Sequence, residues 1–292
     1  MAPLFGFVQF EFAGSLGLPD GRYLARGQGG THDQHVLVVE ILGAPPPIPR
    51  RRRRQRAEQR EAEPAPLQLT RVTAVLAAEP FESTAEAERW LEDSLATEEH
   101  TEARLAEGLG LVNRALHARA VAGADPHIAE TGVERAVLAR IGYGSGEEVA
   151  AGRFTAARHV DARGGPRSRR RRREEELRPQ ERVAAVLAGR EGVDACETLL
   201  LRARADLDAG RRREAALQLR VALEAMLVEL SGALADPRHE EDMATLETRR
   251  SEASQAANLA LRGDLDDERE RCVHELIEIA ERVLRRRRVL RG

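Results

Sequence analysis

The chain has 292 residues, with 46 basic and 49 acidic side chains, a formal net charge of −3 and 42% hydrophobic content. That apolar supply supports real cores and excludes wholesale disorder. No uncharged apolar run reaches the roughly 18 residues that a membrane span requires. Two cysteines exclude a disulfide framework and a four-thiolate zinc site, so the expectation is a cytoplasmic protein of about two domains with no resident metal or cofactor.

Every basic residue is arginine, and Ala, Arg, Glu, Leu and Gly crowd the chain as in coding sequence of high GC content. An arginine run is therefore weak evidence for a ligand by itself. The aromatic residues are more telling: Phe5, Phe7, Phe10, Phe12, Tyr23, Phe81, Trp90, Tyr143 and Phe154 all precede residue 155. Strands favour aromatic and β-branched residues, whereas an Ala/Leu-rich stretch without them reads as packed helices. The expected fold class is an α+β N-terminal domain, a small mainly antiparallel sheet with helices, followed by an all-α helical domain. The α+β domain is placed at 1–161 with a disordered Arg/Pro-rich insertion at about 44–66, a basic linker at 162–176 and the helical domain at 177–292.

In chain order, Val8, Phe10 and Phe12 alternate with Gln9 and Glu11, the period of a half-buried strand. Pro19-Asp20-Gly21 signals a turn. Residues 35–43 and 67–78 are the next strands, the first β-branched and strongly apolar, the second carrying Leu69, Val72 and Val75. Ser83 and Glu86 fit a capping box ahead of a helix with Trp90, Leu91 and Leu95. Leu105, Leu109, Val112 and Leu116 then make one stripe of a long helix, in which Gly108 and Gly110 mark a break or a close packing contact.

In the second half, Pro179 suits the first turn of a helix that buries Val183, Val186 and Leu187. Residues 194–209 and 211–235 read as a helical hairpin joined at Gly210. Its Ala203, Leu207, Gly210, Ala215, Leu219, Ala222 and Leu223 stand at the spacing of one tetratricopeptide-type repeat, which the hairpin resembles. The resemblance covers about 30 residues and lacks the bulky aromatic positions and closing proline. Pro237 is expected to end the pair, residues 240–262 to form a weaker helix that Gly263 stops, and Val273, Leu276, Ile277, Ala280, Val283 and Leu284 to line a last helix.

Several motifs have a dull reading beside the chemical one. Gly142-Tyr143-Gly144-Ser145-Gly146 offers backbone amides to a phosphate, but the dinucleotide fingerprint wants glycine where Glu147 stands. Ser145 and Glu148 fit a capping box, which makes the glycines turn residues. His274 and Glu278 fall one histidine short of a zinc-protease helix and suit a solvated edge. His32-Asp33-Gln34-His35 reads as a surface turn, since nothing nearby completes a ligand set. Asn113, His117, His127 and Tyr143 are the candidate cluster for acid–base work or a small-ligand pocket, with Arg114 and Asp125 nearby. The preferred reading makes His117 a hydrogen-bonded histidine at the core margin. Cys196 and Cys272 fall on apolar helices, where thiols are usually inert.

Arg50, Arg51, Arg52, Arg53 and Arg54 form one basic run, Arg169, Arg170, Arg171, Arg172 and Arg173 a second, and Arg285 to Arg288 a third. They are candidates for a polyanion such as nucleic acid. Alternatively they fold back on the protein's own acidic faces or stay solvated. No aromatic platform accompanies them, which disfavours sequence-specific single-strand recognition. The segment RIGYGSGEEVAAG after the Ala-Asp-Pro-His turn resembles uncharacterised proteins of high-GC bacteria, a likeness that implies no activity. The expected function is thus non-catalytic: protein–protein contacts of the helical domain. Weak, sequence-independent polyanion binding is the alternative, and an enzyme or ligand binder centred on His117 the third reading.

Overall fold

Val8, Phe10 and Phe12 lie on one face of β1 (Leu4–Ala13), the strand around which the N-terminal half is organised. In the computed structural model, residues 3–26, 34–43, 68–161, 182–232 and 236–291 are described. The insertion expected at about 44–66 and the linker at 162–176 lie outside them. The chain divides into two units, Met1–Arg171 and Arg172–Gly292.

The first unit is an antiparallel sheet with helices. With β2 (Gly21–Arg26), β3 (Gln34–Leu42), β4 (Leu69–Phe81), β5 (Ala136–Ser145) and β6 (Ala156–Val160), the described strands order as β2-β3-β4-β1-β5-β6, every pair antiparallel. Two helices, α1 (Thr84–Leu95) and α2 (Glu98–Gly123), cover one face. There Phe10, Phe12, Val72, Ile141 and Tyr143 pack against Leu91, Leu105, Val112 and Leu116. The Ser83 hydroxyl accepts the Glu86 amide at 3.2 Å, the forward half of a capping box, while the Glu86 carboxylate accepts the Glu82 amide at 2.8 Å, one residue before the cap residue's own. Gly108 is a contact and not a break: a Cβ there would lie 2.6 Å from Cβ of Val8, so α2 rests directly on β1.

Two expectations change here. β1 is not half-buried. It is flanked by β4 and β5 and covered on both faces, and Gln9 and Glu11 are buried with the phenylalanines. Gly142 and Gly144 are not turn residues but lie within β5. A Cβ on Gly142 would stand 2.4 Å from the Ala156 carbonyl oxygen and 2.8 Å from Phe7, and one on Gly144 would stand 2.9 Å from Val149. Close packing under Phe7 and α3 (Gly146–Ala150) therefore selects glycine. His35 belongs to β3, as the strand expected from residue 35 has it, while His32 and Asp33 lie outside the described residues.

The second unit is helical: residues 182–187, then α4 (Ala195–Asp208), α5 (Arg212–Glu229), α6 (Pro237–Thr248), α7 (Arg250–Ala260) and α8 (Asp267–Arg291). Its core is aromatic-free, built from Leu200, Leu219, Leu223, Met226, Leu246, Leu276, Ile277 and Val283 around a set of buried alanines. Alanine adds little width, which lets helix axes approach closely. Gly210 joins α4 to α5 at a φ of 70°. Pro237 begins a helix instead of ending one, since proline's missing N–H costs nothing in a first turn; Asp236 caps it by accepting the His239 amide at 2.8 Å. Residues 240–262 are two helices meeting at Arg249. Val183 and Leu187 are exposed, not buried.

Candidate functional site

The face of the sheet away from α1 and α2 carries a polar network across β3, β4, β1 and β5. Gln9, 1% exposed, donates to the Thr73 hydroxyl at 2.9 Å and accepts from Arg140 at 2.7 Å. Glu11 accepts Nε of Arg71 at 3.0 Å and lies 3.8 Å from Arg140, while Arg71 also reaches Glu40 at 3.5 Å. Register explains the assembly: Gln9 is opposite both Thr73 and Arg140, and Glu11 is opposite Arg71, so period two puts them on one face. Gly152 passes over the network, where a Cβ would meet Arg71 at 3.3 Å. Phe154 lies on Phe7 with ring centroids 5.7 Å apart, and the Arg140 guanidinium stands 6.0 Å from the same ring. Two guanidiniums and two carboxylates neutralise one another here. That is the chemistry of a buried brace, without a nucleophile or an unpaired base. Sequence alone shows only polar residues alternating within β1; the arginines that meet them arrive from strands 60 and 131 positions away.

The cluster around His117 is not brought together. Asn113 is a clamp: its amide donates to the Thr131 carbonyl at 3.0 Å and its oxygen accepts the Thr131 amide at 2.9 Å, tying the chain after α2 back onto that helix. His117 is exposed on α2 and forms no hydrogen bond with another described residue, so it is not the bonded core-margin histidine expected. His127 is exposed too, in a turn where Asp125 accepts its amide at 2.9 Å. Arg114 donates to the Arg26 carbonyl at 2.6 Å. Tyr143 is buried under α1, where burial first, and then the Glu88 carboxylate that accepts its hydroxyl hydrogen, push the phenol above its ordinary range. One hollow of about 330 Å³ is lined by Asp93, Ser94, His100, Ala103 and Arg104, and another of about 260 Å³ by residues 136–139 and 159–161. Neither contains His117, His127 or Tyr143.

The thiols are not activated. Burial, followed by the nearby Glu229 carboxylate, pushes the Cys196 thiol up to about 12. Burial also raises Cys272, whose thiol donates to Glu252 at 3.3 Å. His274 and Glu278 pair at 3.5 Å on an exposed edge of α8. Among the described residues, no group of three or more His, Cys, Asp or Glu stands where it could hold a metal ion, and no helix is long and apolar enough to cross a membrane.

Of the basic runs, the first two, Arg50–Arg54 and Arg169–Arg173, lie outside the described residues. The third is largely engaged internally: Arg285 lies 3.9 Å from Glu281, Arg286 bonds Asp242 at 2.6 Å, and Arg287 pairs with Asp194.

What the helical unit does present is apolar surface at one end of its α4–α5 hairpin. The Glu229 carboxylate accepts the amides of Ala195 at 3.2 Å and Cys196 at 2.9 Å, joining the end of α5 to the start of α4. Val228, 79% exposed, is thereby set at the end where Val193, also exposed, leads into α4. Arg182 bonds Glu191 at 2.8 Å and Glu197 at 2.6 Å, which brings the 182–187 helix, with exposed Val183 and Leu187, to the same end. Compared with protein-family models, with curated proteins and with solved structures, the chain matches none.

Proposed function

We propose that this chain is a non-catalytic protein that acts through protein–protein contacts of its helical unit. The observation that supports the reading is that Val183, Leu187, Val193 and Val228 are each exposed on segments that the Arg182–Glu197 and Glu229–Ala195 bonds tie to one end of the hairpin. Single exposed apolar residues are ordinary, and a contiguous apolar patch is what a partner covers. Three polar groups near the core have structural partners: Asn113 clamps Thr131, Tyr143 is buried against Glu88, and the carboxylate of Glu11 is neutralised by arginine.

A photo-crosslinking residue at position 228 or 187, introduced into the gene in its own host, tests this. The expected result is one discrete adduct of defined mass, lost when the other position carries glutamate, and no such adduct from position 220 on the exposed side of α5. Adducts equally abundant and diffuse from all three positions would overturn it. Polyanion binding through Arg50–Arg54 and Arg169–Arg173 is the alternative, supported by the concentration of positive charge in those runs.

A further inference from the structure

His239 is 2% exposed on α6, and neither of its ring nitrogens hydrogen-bonds another described residue. A buried imidazole in that state tolerates only its neutral form, because charging it strands an ion without water or an acceptor. The charges that act on the ring are Arg286 and Arg287 from α8 and Asp236 and Asp242 from its own segment; α5 and α7, which also touch α6, add none to that set. The two carboxylates are already engaged. Asp242 accepts Arg286 at 2.6 Å and lies 3.6 Å from Arg282, Asp236 lies 3.9 Å from Arg286 and caps α6, and Arg287 pairs with Asp194 before α4. The pairs of Asp236 and Asp242 fasten α6 to α8, that of Arg287 ties α8 to the start of α4, and the Arg286 and Arg287 charges act on the imidazole.

We propose that His239 is a proton-operated latch: neutral, it lets α6 dock on α8, and a proton taken up in mild acid loosens α6 from the helical unit. The proton brings a positive charge beside two guanidiniums and competes for the carboxylates that hold them. Burial, reinforced by Arg286, holds the imidazole below its ordinary range. The unfolded or undocked chain therefore binds this proton more readily than the docked one. The stabilisation is fully present above about pH 6.5, the ordinary histidine value, and is lost as pH falls from there towards the depressed folded value. One proton of linkage changes the opening equilibrium by up to tenfold per pH unit.

Hydrogen exchange of the full-length protein, read by mass spectrometry and corrected for intrinsic rates, tests the latch. Between pH 7.5 and 5.5, peptides from α6 should open about tenfold more, while peptides from α5 change less. His239→Leu should remove that pH dependence. An NMR titration of the unmodified protein gives an independent reading should the variant not fold: His239 should titrate below the ordinary histidine value of about 6.5. Equal pH dependence in wild type and variant, or a His239 titration at or above about 6.5, would overturn the proposal.

Discussion

Asn113 and His117 stand one turn apart on α2, both polar beside the buried Val112 and Leu116, and the fold treats them differently. Asn113 is engaged as donor and acceptor with one backbone unit; His117 points outward. Asn113→Ala leaves the Thr131 amide and carbonyl without their partner and should cost about 1–3 kcal/mol. His117→Ala should change stability by less than about 0.5 kcal/mol, as exposed substitutions usually do. Urea denaturation of the two variants measures both, and a larger loss in the histidine variant would contradict the assignment. Helical spacing identifies both residues as neighbours of the core stripe. It cannot show that Thr131, 18 positions on, returns to meet one of them.

At the scale of elements, α2 on β1 and α5 on α4 show what backbone proximity demands. Gly108 and Gly110 share a helix, but a Cβ would strike Val8 from position 108 and would meet nothing within 4 Å from position 110. Gly108→Ala should therefore destabilise by about 1–3 kcal/mol through forced displacement of a fully buried contact. Gly110→Ala should stabilise by roughly 0.5–1 kcal/mol, the helix-propensity gain of alanine over glycine. Thermal or urea unfolding of the pair reads opposite signs, and equal signs would refute the close approach of α2 to the sheet. Other local signals were legible: the Ser83 cap that accepts the Glu86 amide, the alternation in β1, and the stripe of α8. Pro237, read from the sequence as the end of the preceding pair, instead starts a helix behind the Asp236 cap. The break at Arg249, whose guanidinium reaches Glu275 of α8 at 3.1 Å, lies beyond local pattern.

For the whole molecule, the charge layout sets the test that separates the two readings of function. In the C-terminal run Arg286 and Arg287 are engaged with Asp242 and Asp194, and Arg285 lies near Glu281, so polyanion affinity is expected to rest chiefly on Arg50–Arg54 and Arg169–Arg173. Such binding should be indifferent to base sequence and fall with salt at a log–log slope of about −0.9 per phosphate contact on duplex DNA. At about 0.15 M salt, where the Debye length is about 8 Å, it should be weak. Fluorescence anisotropy across a salt series checks this; tight, sequence-selective binding at that salt would displace the protein-contact reading.

Composition and periodicity alone determined the division of this protein into an aromatic-bearing α+β half and an aromatic-free helical half, and most of its strands and helices. These are short-range properties: alternation, capping and helical spacing act over a few residues and survive in any fold. Tertiary structure decided what covers each face. It buried both sides of β1, turned Gln9 and Glu11 into a neutralised brace, required glycine at 142 and 144, left Val183 and Leu187 in solvent and closed His239 away from it. Spacing assigns a side chain to a face; only the chain that returns from far along the sequence determines whether that face meets water, a neighbour or a charge.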